Sequence, residues 1–173
     1  MILRFFRRDE RRDTVAAFYA RISDASRQPG LYRSLGVPDT IEGRFECVCL
    51  HVLLVLRRLN RLPPPANELA QDLTDCFFRE LDLALRETGV GDMGISKRMK
   101  KLAQAYYGRV QAYDPALEAR DAGALAAALS ANMTEGVAAE GLAAYVLQAE
   151  DRLAAQDLDA LLREGPAFPA PAE

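Results

Sequence analysis

The chain has no tryptophan, a single histidine (His51) and three cysteines, Cys47, Cys49 and Cys76, none of them in a CxxC pair. One imidazole and three scattered thiols leave too few ligands for a zinc or haem site, so the residues call for no metal and no cofactor. An odd cysteine count without that spacing gives no disulfide framework, and the thiols read as buried and reduced, as in the cytoplasm. Long apolar runs are also missing. The longest, Cys47 to Leu56, is interrupted by His51 and reaches about half of the ~20 residues that cross a bilayer. Catalytic patterns are scarce: GxSxG and HExxH do not occur, and Gly89-x-Gly91-x-x-Gly94, although spaced like a nucleotide loop, follows a helical pattern where that motif requires a strand. These absences argue against an enzyme.

What is present is helix-forming. Half of the 173 residues are apolar and about a quarter are charged, which suits one domain with one core. Strand-like alternation of useful length is absent, so the sequence predicts an all-α, single-domain, monomeric helical bundle of about six or seven helices. Three segments are expected: a basic N-terminal stretch over 1–12, the helical domain over 13–164, and a disordered Pro/Ala tail over 165–173. In the first, Phe5 and Phe6 lie among Arg4, Arg7 and Arg8, a pattern unlike a secretory signal that suits either an anionic membrane surface or a frayed end.

Within the domain, Val15, Phe18, Tyr19 and Ile22 recur at helical spacing after an Asp13 cap, and Pro29-Gly30 is expected to end that helix. Asp39 or Thr40 caps the next, with Glu42 in capping-box position after Asp39. That helix, Gly43 to Arg61, is apolar nearly all round between Cys47 and Leu56, which predicts the centre of the bundle. Pro63-Pro64-Pro65 ends it. Leu69, Leu73, Phe77, Leu81 and Leu85 mark a third helix that closes at Gly89. A fourth is expected from Ser96 to Tyr113, stopped by Asp114-Pro115, and Asp121 and Thr134 offer caps in the Ala-rich remainder.

Two features invite a function. Charge is uneven: 19 Lys/Arg against 14 Asp/Glu up to residue 113, then 3 against 11, so the front is +5 and the rest −8. The positive excess gathers at Lys97, Arg98, Lys100 and Lys101, where the expected helix start makes cations oppose the macrodipole. Such a cluster suits an anionic partner: acidic protein, lipid headgroups or RNA phosphates. Tyr107 flanks the same face and adds contact area. The second feature is His51, placed one turn from Cys47 on the apolar helix. It reads either as a buried, hydrogen-bonded imidazole or as part of a partner groove.

Read together, Leu35-Gly36-Val37-Pro38-Asp39-Thr40, Gly43-Arg44-Phe45, His51 to Leu59, and Gly89 to Gly94 followed by Lys97-Arg98-Met99-Lys100-Lys101 resemble the ubiquinol-cytochrome c chaperone family. The resemblance runs from about Tyr19 to Leu117. It implies a chaperone that holds newly made cytochrome b during assembly of the bc1 complex, working in the cytoplasm or peripherally at the inner face of a bacterial membrane. It marks Asp39, Arg44, His51, Asp92, Lys97, Lys100 and Lys101 as shared positions for partner binding. The competing reading is a ribosome- or RNA-binding module that uses the basic helix, although the chain carries no RNA-binding signature.

Overall fold

Thr40 sets the entry to the central helix. Its backbone is extended (φ −116°, ψ 170°) and its hydroxyl accepts from the Gly43 amide at 3.1 Å, which caps α3 (Ile41–Arg61). Asp39 pairs with Arg44 instead of entering a capping box with Glu42. The preceding turn, in which Gly36 takes φ +68°, lies directly on the first turn of the helix. A Cβ at Gly43 would stand 2.0 Å from the Pro38 carbonyl oxygen, so only glycine lets the two backbones meet.

The computed structural model describes residues 8–87, 92–133 and 137–171. Around α3 pack α1 (Arg8–Ala25), α4 (Ala66–Glu87), α5 (Asp92–Ala119) and α7 (Ala139–Ala154), each touching it directly. The short α2 (Pro29–Arg33) links α1 to the Gly36 turn. α6 (Ala122–Asn132) bridges α5 and α7, and α8 (Leu158–Glu164) closes the chain of helices. Among the described residues there are eight helices and no strand, an all-α bundle. Its core is continuous, from Phe18 and Ile22 through Leu53, Leu54, Leu73 and Phe77 to Leu125, Leu142 and Leu161. Leu50 to Val55 of α3 are all buried, as the apolar run predicts.

Several boundaries differ from the sequence expectation. α1 begins at Arg8, five residues before Asp13: Thr14 already donates back to the Glu10 carbonyl at 2.8 Å, and Arg11 is held by Asp72 at 2.5 Å and Glu68 at 3.1 Å on α4. The 12/13 boundary therefore falls inside a helix. Pro29 starts α2 rather than ending α1, since its missing N–H costs nothing at a first helical position. α5 runs straight through Asp114-Pro115 to Ala119. Proline removes one helix hydrogen bond there, but Ala116 and Leu117 are buried and Arg57 and Arg61 of α3 hold Asp114 and Glu118, one turn apart. The proposed caps at Gly89 and Thr134 lie outside the described residues.

The tail is a further correction. Residues 165–171 do not hang free: they run as an extended strap against α3 and α7, with Pro169 buried and the Phe168 ring 4.7 Å from that of His51. Gln156 clasps its main chain at two points. A Pro/Ala composition reads as disorder because it offers little apolar area, and one aromatic plus one side-chain clasp supplies what it lacks.

Candidate functional site

α5 is divided in its bonding. Its C-terminal half is clamped to the bundle. Arg109 makes a bidentate pair with Glu46 of α3 (3.0 and 2.6 Å) and reaches the Asn132 carbonyl at 3.1 Å, and further along Asp114 and Glu118 meet Arg57. Arg57 also binds Glu150 of α7 at 2.9 Å, and both of these side chains keep only 10% of their exposure. Two front-half arginines, Arg57 and Arg61, thus neutralise three rear-half acids, Asp114, Glu118 and Glu150, so part of the charge asymmetry has a structural use. Sequence reasoning missed this network because its partners lie 57 to 93 residues apart.

The N-terminal half of α5 is different. Lys97, Arg98, Lys100 and Lys101 are all exposed, and among the described residues none of them forms an ion pair. The helix starts at Asp92, so these residues stand in its second and third turns, where the macrodipole has faded. The macrodipole therefore does not single out an anionic partner, and what does is four free cations on a single solvent face. Asp92 stands at the start of α5, and its side chain lies outside the described part of the structure.

Tyr107 lies at the junction of the two halves, 53% exposed, with its ring against Phe78 (6.3 Å) and edge-on to the buried Tyr106 (5.4 Å). It rims an open cleft of about 400 Å³ between α3, α4 and α5. Leu53, Leu56 and Val110 contribute apolar surface to the cleft, and Asn60, Asn67 and Gln71 contribute amides. A basic face thus leads into an amphipathic cleft with an aromatic rim, a combination suited to a protein segment having both acidic and apolar parts.

The other marked residues fall elsewhere. Asp39 and Arg44 pair with each other at 2.6 Å on the exposed entry to α3, where the guanidinium holds the Asp39 carboxyl below its ordinary range. His51 has no exposed surface at all. Its Nδ1 lies 2.8 Å from the Cys47 carbonyl and its Nε2 2.8 Å from the Tyr145 hydroxyl. A carbonyl can only accept, so Nδ1 carries the proton and Nε2 accepts from Tyr145. Burial lowers the imidazole pKa to about 4, partly offset by the Cys47 bond. His51 is therefore a neutral core group in this fold, the buried, hydrogen-bonded imidazole of the two sequence readings, and not a surface contact; its partner one turn away is the Cys47 carbonyl. Burial likewise raises Cys47 to about 12 and pushes Cys49 and Cys76 up, so the thiols are protonated.

Among the described residues no group of three or more His, Cys, Asp or Glu side chains is placed to hold a metal, and no helix is long and apolar enough to cross a membrane. Compared with known proteins, residues 33–168 match the sequence model of the ubiquinol-cytochrome C chaperone family. The structure is also similar to the crystal structure of the Cbp3 homolog from Brucella abortus, with 44% sequence identity, 97% of this chain and 96% of that chain covered, and a TM-score of 0.82. None of the curated proteins matches its sequence.

Proposed function

The chain belongs to the ubiquinol-cytochrome c chaperone family, and from that premise we propose that it captures newly made or partly assembled cytochrome b on the exposed face of α5 and releases it into the bc1 complex. The role is non-enzymatic, carried out by a monomer at the membrane face where cytochrome b emerges. The observation that carries the reading is the set of free cations at Lys97, Arg98, Lys100 and Lys101, leading to exposed Tyr107 and the amide-lined cleft. Cations steer an acidic segment to the surface, and the aromatic rim with its apolar wall retains it once water is displaced. The exposed Asp39–Arg44 pair stands at the helix entry, beside the turn that packs over Gly43, and offers the client a polar contact there. A photocrosslinker placed at Tyr107 and activated in native membranes should label cytochrome b. Labelling of ribosomal RNA instead would favour the RNA-binding alternative.

A further inference from the structure

The groove that holds the C-terminal strap is built like a peptide site. Two helices line it with residues two turns apart: His51 and Arg58 from α3, Tyr145 and Arg152 from α7. At one end Gln156 treats the strap as a neighbouring strand would, its Nε2 donating to the Gly165 carbonyl at 2.9 Å and its Oε1 accepting from the Ala167 amide at 2.8 Å. Gln156 is itself held, because Arg58 donates twice to its main-chain carbonyl (2.9 and 2.6 Å). At the other end the Phe168 ring leans on the imidazole of His51 (4.7 Å between centroids, 58° between planes), while Arg152 approaches the Phe168 carbonyl at 3.4 Å. Gly165 has φ +86°, and a Cβ there would come within 2.7 Å of the Arg21 side chain, so the seat selects glycine at that point.

We propose that this groove is a second binding site, specific for an extended, uncharged segment in which an aromatic residue follows a glycine by three positions, and that residues 165–171 are its resident occupant in cis. The contacts made to the strap are those of a peptide site: a two-point main-chain clasp for register and an aromatic seat for specificity. The strap itself has no ionisable side chain, so the arginines around it serve carbonyl groups and not side-chain charge. A tethered occupant competes at an effective concentration in the millimolar range, which keeps the site closed until its own aromatic contact is lost or a better segment arrives. This inference does not depend on the α5 face.

The test uses the full chain and a fluorescent peptide of residues 163–171, Arg-Glu-Gly-Pro-Ala-Phe-Pro-Ala-Pro, followed by anisotropy. The Phe168→Ala chain should bind the peptide at least about tenfold more tightly than wild type, because the tethered competitor has lost its anchor. The gain should vanish when the peptide's phenylalanine is replaced by alanine, and when Gln156→Ala is added to the chain. A folded Phe168→Ala chain that binds no better than wild type overturns the site. A concentration-dependent dimer of wild type that is lost in Phe168→Ala also overturns it, by making the occupant the strap of a second copy. Should Phe168→Ala not fold, hydrogen exchange in wild type decides. The Ala167 amide exchanging at least about a hundredfold faster than the amides of Leu53 and Leu54 supports a seat that opens on its own; equal protection makes the strap an inseparable part of the core and overturns the proposal.

Discussion

Tyr145 donates its hydroxyl to Nε2 of His51 at 2.8 Å, and this bond ties α7 to α3 across 94 positions of sequence while leaving the only imidazole of the protein neutral. The unfolded chain takes up a proton on His51 near pH 6.5, whereas the folded chain does so only near pH 4. Between those values the unfolded state binds more protons, so stability falls as the pH drops through that window, by about 3 kcal/mol in total, and the contribution is flat above about pH 7. Urea denaturation from pH 7.5 to 4.5 measures the slope. Tyr145→Phe strands the Nε2 lone pair in the core and should cost about 1–3 kcal/mol at pH 7.5.

Arg57 is the hub of the α3–α5–α7 ion network, and its removal leaves Glu150 buried with only Arg61 at 3.7 Å. Arg57→Met should therefore cost about 3–5 kcal/mol, while Arg57→Met with Glu150→Leu should recover most of it, because a matched apolar pair leaves no stranded charge. Denaturant midpoints of the two variants check this. A single variant that loses less than about 1 kcal/mol would contradict the burial of the pair. Arg44→Ala, at an exposed pair, should leave the midpoint unchanged.

Two glycines separate close approach from open space. Gly43→Ala meets the Pro38 carbonyl and must displace the Gly36 turn, for a loss of about 1–3 kcal/mol. Gly108→Ala, inside α5 with nothing within 4 Å of its Cβ, should gain about 1 kcal/mol from helix propensity. Thermal melts of both variants should move in opposite directions.

The sequence showed most clearly what is local. The apolar circumference of Cys47 to Leu56 located the central helix, Thr40 and Asp121 stood where helices begin, and the unspent cations at Lys97 to Lys101 were visible as a cluster. What it hid depends on distant partners. Pro115 reads as a helix stop until Arg57 and Arg61 are seen gripping Asp114 and Glu118 from another helix. Asp13 reads as a cap until Arg11 is seen bound to α4. Gln156 and Phe168 carried no local signal, since a lone glutamine in a turn and one phenylalanine among prolines acquire meaning only from the groove they share. His51 was visible as an unusual residue, but the choice between core and contact surface needed Tyr145.

The solvent face of α5 is the client surface we propose, and charge reversal tests it without touching the core. Lys97→Glu, Lys100→Glu and Lys101→Glu together alter three exposed side chains, so the melting temperature should stay within a few degrees of wild type. Affinity capture from native membranes, followed by crosslinking and mass spectrometry, should recover cytochrome b with the wild-type chain and lose at least about tenfold of it with the triple variant, the loss growing smaller as salt is raised. Undiminished capture of cytochrome b by the folded triple variant would contradict client binding at this face.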